Sequence, residues 1–283
     1  MSNTITLIIG KRSNLSKNLY ECLENSILIS SEDIEQNIEL LSKYTKNSLN
    51  IVFNNFQASI LLNKNEYYDE YIVKTILNTS KVLTYIQKNK IEINKIIYTS
   101  SSSVYGNNGY CTENDNINPI SLQASLKVAN EELIKRFCNI NNIQYTIVRL
   151  FNMYGGDDIF SIVSKIKDAF IKNKILNVIN NGNAVRDYIH IDDVVKTYIK
   201  LLNEIDSIPT ILNIAKGDGE RLSDILNELS NQGIKIEINN IIKDEILTSI
   251  ANVSRLNKLI DTKSFIDVKS FLQNEIKKYE TYN

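Results

Sequence analysis

The sequence predicts an α/β fold built on a doubly wound parallel sheet, followed by a smaller C-terminal lobe. Short β-branched runs alternate with segments whose apolar residues recur at helical spacing. This alternation is typical of right-handed βαβ units, which place parallel strands side by side with helices packed on the sheet. With 283 residues, 43% of them hydrophobic, the chain can bury the core of one large domain with or without an additional lobe.

The regular alternation lies in the N-terminal half. The predicted strands are Ile5–Ile9, Ile27–Ile29, Leu49–Phe53, Ile96–Thr99 and Tyr145–Leu150, and the predicted helices start at Leu15, span Ile72–Ile86 and start at Leu122. Beyond about residue 152 the segments become shorter and loops more frequent. We therefore predict a first domain over residues 1–151, completed by later sheet segments, and a C-terminal lobe over residues 152–283.

Charge and apolar patterning exclude several classes of function. The 32 Lys and Arg residues nearly balance the 33 Asp and Glu residues, which leaves no general basic field for nucleic acid or an anionic membrane. No apolar run approaches the ~18 residues of a membrane span, and Thr4–Ile9 is typical of a strand and not of a signal peptide. Cys22, Cys111 and Cys138 lack metal-ligand spacing. We expect a soluble, cytoplasmic protein without a metal site.

The turn after the first strand has the spacing of a dinucleotide-binding turn. Such a turn needs small residues where backbone N–H groups approach a pyrophosphate and where the helix packs on the strand. The usual glycines are here Gly10, Ser13 and Ser16, so we expect a strained but possible geometry, with an ordinary strand–helix turn as the alternative. The candidate cofactor-binding residues are Gly10, Arg12, Ser13, Asn14, Leu15 and Ser16.

The same turn favours NADP over NAD. Arg12 lies within it, where a guanidinium could meet the 2′-phosphate of NADP. An acidic residue at the end of the second strand usually selects NAD by binding the ribose 2′-hydroxyl. Ser30 and Ser31 stand at that strand end instead, and Glu32 and Asp33 follow them.

Two further segments carry hydroxyl and amine groups. Thr99–Gly106 contains a run of serines directly after the fourth strand, and the carboxyl ends of parallel strands face the ligand crevice. A serine-rich surface loop is the alternative for this run. Gln123 and Lys127 are spaced i and i+4, so they share one face of a predicted helix, off its apolar stripe. Taken alone, Lys127 could simply be solvated.

The C-terminal half contributes Arg149–Gly155, after the fifth strand, and Val185–Val195. The only histidine, His190, is flanked by β-branched residues, which predicts a packed or capping residue and not a catalytic base. Arg186 is either a surface charge or a bidentate clamp for a diphosphate.

In this order and spacing, these segments resemble the extended short-chain dehydrogenase/reductase family, in its nucleotide-sugar epimerase/dehydratase/reductase branch. The resemblance extends from Ile5 to about Leu272, and it is most specific at Ser101–Gly106, Arg149–Gly155 and Arg186–Val194. It implies a Rossmann-type doubly wound sheet with a small C-terminal substrate-binding lobe. Residues 1–151 would then bind NADP or NAD, and residues 152–283 would mainly bind a nucleoside-diphosphate sugar.

The resemblance also implies roles for individual residues. Ser101 matches the family's catalytic Ser/Thr, which polarises the sugar carbonyl or hydroxyl. Lys127 matches the lysine that binds the nicotinamide ribose and lowers the pKa of a tyrosine four residues earlier. Asn152 matches a residue that contacts the sugar diphosphate, and Arg186 one that binds phosphate or nucleotide. The implied substrate-binding residues are Ser102, Ser103, Asn152 and Arg186.

The largest departure from the family pattern is Gln123, which stands where the catalytic tyrosine is expected. A tyrosine phenol can be tuned to exchange a proton near neutral pH, whereas a carboxamide only forms hydrogen bonds. Three explanations follow. A hydroxyl such as that of Ser101, Tyr105 or Tyr110, or an ordered water, carries the proton; the protein binds its ligand without turnover; or Gln123 is an engineered substitution.

The function predicted from this resemblance is the NADP-dependent, or NAD-dependent, reduction of the 4-keto group of a nucleoside-diphosphate (deoxy)sugar. It would serve a surface polysaccharide such as lipopolysaccharide. The short chain, Arg12, and Ser102 and Ser103 in place of the carboxylates of 4,6-dehydratases favour it. The alternatives are an NAD-dependent C4-epimerase and a catalytically impaired sugar-binding homologue. Family members pair through the helix bearing Lys127 and the preceding one, Glu70–Asn89 here, so we expect a homodimer.

Overall fold

The computed structural model describes residues 4–44, 47–55, 68–204 and 208–282. These residues form two compact units. The first contains the described residues up to Val104, Ile117–Arg149 and the described residues of 198–212, and the second contains Tyr105–Asn116, Leu150–Thr197 and the residues from Asn213 onward. That residues 1–151 bind the cofactor and residues 152–283 bind the sugar stays a prediction.

The strands and helices alternate along the chain. The strands are β1 (Ile5–Ile9), β2 (Ser26–Ile29), β3 (Leu49–Phe53), β4 (Ile93–Ser101), β5 (Tyr110–Cys111), β6 (Gln144–Leu150), β7 (Asn152–Tyr154), β8 (Leu176–Ile179), β9 (Val185–His190), β10 (Ile211–Ile214), β11 (Gly219–Arg221), β12 (Ile238–Ile241) and β13 (Thr248–Ala251). The helices are α1 (Asn14–Cys22), α2 (Ser31–Gln36), α3 (Tyr68–Ile72), α4 (Asn78–Lys88), α5 (Leu122–Asn141), α6 (Ile162–Ile171), α7 (Ile191–Asn203), α8 (Leu222–Asn231) and α9 (Val268–Tyr282).

The first unit is built on a six-stranded sheet in the order β10–β6–β4–β3–β1–β2. Strand β1 pairs in parallel with β2 and β3, and β3 pairs in parallel with β4. In this register Ile9 lies opposite Phe53, and Phe53 lies opposite Tyr98. Strands β1 and β3 therefore end at the same edge of the sheet, and β4 continues three residues further there, to Ser101. The predicted α/β fold with a Rossmann-type, mostly parallel sheet is confirmed.

The core of the first unit lies between this sheet and two helices. It is apolar because β1, β3 and β4 direct alternate aliphatic and aromatic residues towards the buried faces of α4 and α5. Fully buried members include Leu7, Ile9, Ile51, Phe53, Val82, Ile96, Tyr98, Ile134 and Cys138. At roughly 25 cal/mol per Å² of apolar surface removed from water, this packing is the main favourable contribution to folding.

A π-helical turn separates α3 from α4, where the sequence predicts one continuous helix over Ile72–Ile86. The turn covers Val73–Leu77. The backbone carbonyl of Thr75 accepts hydrogen bonds from the side chains of Asn130 (2.9 Å) and Thr79 (2.9 Å). Side chains inserted into the backbone ladder in this way are a usual cause of local helix distortion.

The second unit has two smaller sheets. One has the order β11–β9–β13–β5, with β7 paired to β9, and the other pairs β8 with β12. Its core packs α6, α8 and α9 on β7, β8 and β9. His190, at the end of β9, is buried between Tyr154 and Phe271, and its Nδ1 accepts a hydrogen bond from the Asp192 amide (3.2 Å) at the start of α7. The prediction that His190 is a packed and capping residue is confirmed.

Within residues 4–44, 47–55, 68–204 and 208–282, no helix combines the length and apolar character needed to span a bilayer.

Candidate active site

The turn between β1 and α1 requires glycine at its first position. Gly10 has φ +116°, a region that favours glycine, and a Cβ there would lie 2.4 Å from the Asn54 carbonyl oxygen. The Gly10 amide donates to the Ile29 carbonyl (2.9 Å), and the Asn54 amide donates to the Ile9 carbonyl (2.8 Å). The backbone of the turn is therefore pressed against the ends of β2 and β3, as a dinucleotide-binding turn requires.

The serines of this turn are not strained, so the expectation of a strained geometry is wrong. Ser13 is extended (φ −68°, ψ 137°) and precedes the first residue of α1, while Ser16 lies inside the helix. Both hydroxyl oxygens accept a hydrogen bond from the Asn54 side-chain amide, at 2.8 Å for Ser13 and 2.9 Å for Ser16. Asn54, which donates to both serine side chains, was not located from the sequence.

The N-terminus of α1 completes a candidate pyrophosphate site. Asn14, Leu15 and Ser16 form the first turn of α1. Their amides point out of this end of the helix, and the helix dipole makes the end attractive to anions. The Leu15 side chain is buried in the core, so only its backbone could meet a cofactor. The closely packed backbone at Gly10 and the N-terminus of α1 together fit a bound dinucleotide.

The groups that would distinguish NADP from NAD lie around the end of β2. Arg12 is 80% exposed and pairs with Glu32 at 3.2 Å, a contact of little energetic weight at such exposure. Asp33 accepts from the Ser30 amide (3.0 Å) and hydroxyl (2.7 Å), and these bonds lower the pKa of its carboxyl. Lys11, Arg12, Lys17, Leu28, Ser30 and Asp33 line a cavity of about 520 Å³. This lining suits an additional phosphate.

Ser101 ends β4 and lies half-buried at the carboxyl edge of the sheet. Its hydroxyl oxygen accepts from both the amide (3.2 Å) and the hydroxyl (3.0 Å) of Ser103. Because Ser103 acts as the donor, the Ser101 hydroxyl proton remains available for another acceptor. Ser102 and Ser103 lie in the 3₁₀ turn that follows β4.

Lys127 reaches the same strand end from α5. Its ammonium donates to the Thr99 carbonyl (2.6 Å) and lies 5.2 Å from the centre of the Tyr98 ring. The side chain is buried, so a solvated Lys127 is ruled out. Burial lowers the pKa of Lys127 to about 7, and Glu131, one helical turn further on, opposes this shift. Lys127 can therefore gain or lose a proton near neutral pH.

Gln123 lies in the first turn of α5, one helical turn before Lys127. The hydroxyl of Ser121 caps this helix by accepting from the Ala124 amide (3.2 Å). Gln123 is half-buried. Its carboxamide is uncharged and exchanges no proton near neutral pH, so at this position it can only orient a ligand oxygen.

A buried ion pair joins the helix that carries Lys127 to strand β6. Arg149 holds Glu131 through two hydrogen bonds of 2.8 and 3.2 Å, and the Ser100 hydroxyl donates to the same carboxylate at 2.5 Å. Glu131 is fully buried and Arg149 is 2% exposed. The pair ties α5 to β6 and to the residue before Ser101. Neither partner was assigned this role from the sequence.

The structure removes one of the proposed proton carriers. The Tyr105 hydroxyl is buried and donates to the Asn213 side-chain oxygen at 2.7 Å, within the second unit. That proton is therefore committed. Tyr110, also in the second unit, is 57% exposed, and Ser101 keeps the properties described above.

The predicted substrate-binding residues of the second unit line one cavity. Asn152 donates to the Asp187 carbonyl (3.1 Å), and Arg186 pairs with Glu245 (3.2 Å). Asn152 and Arg186 line a cavity of about 740 Å³, and Lys165 lines the same cavity. The structure thus brings Asn152 and Arg186 together, while their roles stay predictions. Glu245, the acidic partner of Arg186, was missed because it lies 59 residues away in the sequence.

The Asp187 carboxylate holds strand β9 in place next to Arg186. It accepts hydrogen bonds from the amides of Lys216 (3.0 Å), Gly217 (3.1 Å) and Ala251 (3.1 Å). Burial nevertheless raises the pKa of Asp187 to about 7. We assign the Asp187 carboxylate a structural role, because all three of its donors are backbone amides.

The family model described as "NAD dependent epimerase/dehydratase family" matches residues 18–215. The chain therefore belongs to the NAD-dependent epimerase/dehydratase family. The resemblance to the nucleotide-sugar branch of the extended short-chain dehydrogenases/reductases is confirmed, and with it the nicotinamide dinucleotide as the class of cofactor. The choice between NADP and NAD stays a prediction.

Relatives within this family differ in their described reactions. The chain is 30% identical to a putative UDP-glucose 4-epimerase of Methanocaldococcus jannaschii over 60% of its own length and 55% of that protein, so it spans little more than half of that relative. This chain is also 26% identical to a GDP-6-deoxy-D-talose 4-dehydrogenase of Aggregatibacter actinomycetemcomitans. The match covers 73% of this chain and 72% of the dehydrogenase.

Among solved structures, the fold is similar to that of MoeE5 in complex with UDP-glucuronic acid and NAD. The TM-score is 0.85 at 17% identity, with 99% of this chain and 100% of that chain covered. This likeness concerns the fold.

Proposed function

We propose that this chain is an NAD(P)-dependent enzyme that reduces the 4-keto group of a nucleoside-diphosphate sugar. One observation carries the proposal. The Lys127 ammonium is anchored on the Thr99 carbonyl (2.6 Å), which places it at the strand end that carries Ser101. A buried lysine and a half-buried serine hydroxyl at the carboxyl edge of a parallel sheet form the polar part of a carbonyl-reducing site.

The first unit would hold the cofactor through its own backbone and charges. The Gly10 turn and the amides at the start of α1 would receive the pyrophosphate, and Arg12, with Ser30 nearby, would receive a 2′-phosphate. Lys127 would bind the nicotinamide ribose. A bound nicotinamide supplies the hydride, and the residues of the site supply orientation and the proton.

Ser101 is the proposed proton donor to the 4-keto oxygen. Ser103 occupies the Ser101 oxygen as a donor, so the remaining Ser101 proton can point to the substrate. Lys127, with its pKa lowered to about 7 by burial, can hold a replacement proton. Gln123 orients the same substrate oxygen without exchanging a proton. Without a tyrosine, the rate should be about 10²–10⁴-fold below that of a site with a tuned general acid.

The cavity of the second unit would take the nucleoside diphosphate. Arg186 offers a planar donor fork and Lys165 a second cation, which together match two phosphate groups. Asn152 lines the same cavity with a side-chain amide. Glu245 holds the Arg186 guanidinium at 3.2 Å, so the clamp is oriented before ligand binding.

A second candidate is a nucleotide-sugar C4-epimerase, which the 30% identity to a putative UDP-glucose 4-epimerase favours. The two reactions differ in coenzyme use, since a reductase consumes NAD(P)H while an epimerase recycles bound NAD. The test offers NADPH or NADH with UDP-, GDP- and dTDP-linked 4-keto-6-deoxy sugars, and separately offers UDP-glucose and UDP-glucuronic acid.

The expected result is oxidation of NADPH with a 4-keto sugar, lost in Ser101→Ala. Tightly bound NAD, found by mass spectrometry of denatured protein, together with C4 inversion would establish the epimerase instead. Nucleotide-sugar binding without turnover in either arm would contradict both and establish a binding protein, in which Gln123→Tyr could restore activity.

We also propose a homodimer formed through α3–α5. Ile72 and Leu77 are 42% and 46% exposed in the segment before α4, and Leu122 at the start of α5 is 49% exposed. Exposed apolar residues on adjacent helices are typical of helix-mediated contacts. Light scattering coupled to size-exclusion chromatography should give twice the 32.4 kDa of the chain, and a mass of one chain would contradict the proposal. A place in surface-polysaccharide synthesis rests on the same resemblance.

A further inference from the structure

The side chain of Asn54 lies under the dinucleotide turn, directly after β3. It is 2% exposed and donates to Ser13 and Ser16, which are 41 and 38 residues away in the sequence. The side-chain oxygen of Asn54, Oδ1, is buried and has no hydrogen-bond partner in the described part of the chain. An unpaired buried oxygen is costly, and such costs are concentrated at functional sites.

The direction of these hydrogen bonds decides what the serines can do. A hydroxyl has one proton and two lone pairs. Asn54 fills a lone pair of the Ser13 oxygen with an N–H, so the Ser13 proton is free to point away from Asn54. Ser13 is half-buried and stands at the N-terminus of α1, whereas Ser16 is fully buried and anchors the amide from inside the helix.

We propose that Asn54 is a cofactor-positioning residue that directs the Ser13 hydroxyl proton at the pyrophosphate of the bound dinucleotide. The inference rests on the proposed binding of NAD(P) at this turn. In a glycine turn the ligand meets only backbone amides. Here a side-chain hydroxyl adds a charge-assisted hydrogen bond, and Asn54 holds it in the donor orientation.

A double-mutant cycle on coenzyme affinity tests this role. The dissociation constants of NADH and NADPH are measured by fluorescence titration for the wild type, Asn54→Ala, Ser13→Ala and the double variant. A hydrogen bond to a charged group corresponds to about a ten-fold change in affinity or more. We expect about a ten-fold loss for each single variant and less than about a two-fold further loss for Asn54→Ala in the Ser13→Ala background.

Asn54→Asp adds a sharper arm, because a carboxylate of the same shape accepts hydrogen bonds and would draw the Ser13 proton inward. It should weaken coenzyme binding more than Asn54→Ala does. Asn50→Asp is the matched control. Asn50 is buried near the opposite end of β3 and already accepts from the Asn94 side chain (2.9 Å), so coenzyme affinity should stay within about two-fold.

Three outcomes would overturn the inference: equal losses from Asn54→Ala in both backgrounds, unchanged affinity in a folded Asn54→Asp, or unchanged affinity in Ser13→Ala. The last variant alters a half-buried hydroxyl and provides the test if the Asn54 variants fail to fold, as checked by urea unfolding. A wild type that binds neither coenzyme would overturn the proposed cofactor site as well, whereas a wild type that binds NADH unaffected by these variants overturns the Asn54 role alone.

Discussion

Replacing Glu131 with glutamine would remove one charge from the buried ion pair that contacts Ser100, while keeping the shape of the side chain. Glu131 is fully buried, and Arg149 holds it at 2.8 and 3.2 Å. Removing one partner of a buried pair leaves the other charge uncompensated and costs about 3–5 kcal/mol. Glutamine keeps an acceptor for one of the Arg149 hydrogen bonds, so we expect a loss of about 3 kcal/mol in the free energy of unfolding.

Urea unfolding of the wild type and Glu131→Gln gives this difference directly. The matched control is Asp168→Asn, which breaks the 2.6 Å pair with Lys172, where both side chains are about half exposed. That exposed pair should contribute less than about 0.5 kcal/mol. A loss below about 1 kcal/mol for Glu131→Gln, or equal losses for the two variants, would refute the reasoning that burial makes this pair important.

Three further predictions concern single side chains. Lys95 is 1% exposed and its ammonium donates to the Leu201 carbonyl (2.6 Å) at the end of α7, so Lys95→Met should lower the free energy of unfolding by about 1–3 kcal/mol in urea unfolding. Burial lowers the pKa of Lys127 in the folded protein to about 7, below its value in the unfolded chain. Between pH 7 and 10 the unfolded state therefore binds more protons, and the free energy of unfolding should rise by up to ~1.4 kcal/mol per pH unit. Urea unfolding at several pH values should show a smaller increase with pH in Lys127→Met. Tyr105→Phe should leave kcat within about two-fold, because the committed Tyr105 proton takes no part in turnover; a hundred-fold loss in a folded variant would restore Tyr105 as a proton carrier.

Much of the fold of the first unit follows from local patterns. The strands Ile5–Ile9 and Leu49–Phe53 have the bounds that the sequence predicts, because a β-branched run ended by Gly10 or by asparagines is a local signal. The π turn at Val73–Leu77 was not predictable in this way. It depends on the Asn130 side chain, whose approach to Thr75 is set by tertiary packing.

The candidate site likewise contains residues that a local sequence pattern reveals and residues that only distant contacts reveal. Ser101 and Lys127 were located through motif spacing, and the structure places both at one strand end. Asn54 and Glu245 were not located, because each acts on a partner 38 or more residues away and neither belongs to a recognisable local pattern. The strain expected at Ser13 was wrong for a different reason, since its backbone is extended (φ −68°, ψ 137°) and needs no glycine.

The most direct test of the proposed reaction follows the hydride itself. The protein would be incubated with NADPH or NADH that carries deuterium at both C4 positions, together with the 4-keto nucleotide sugars named above. The sugar product would then be analysed by mass spectrometry and NMR. We expect deuterium at C4 of the sugar in the wild type and none in Ser101→Ala. Absence of deuterium from every sugar, with coenzyme shown to be bound, would contradict the proposed reduction.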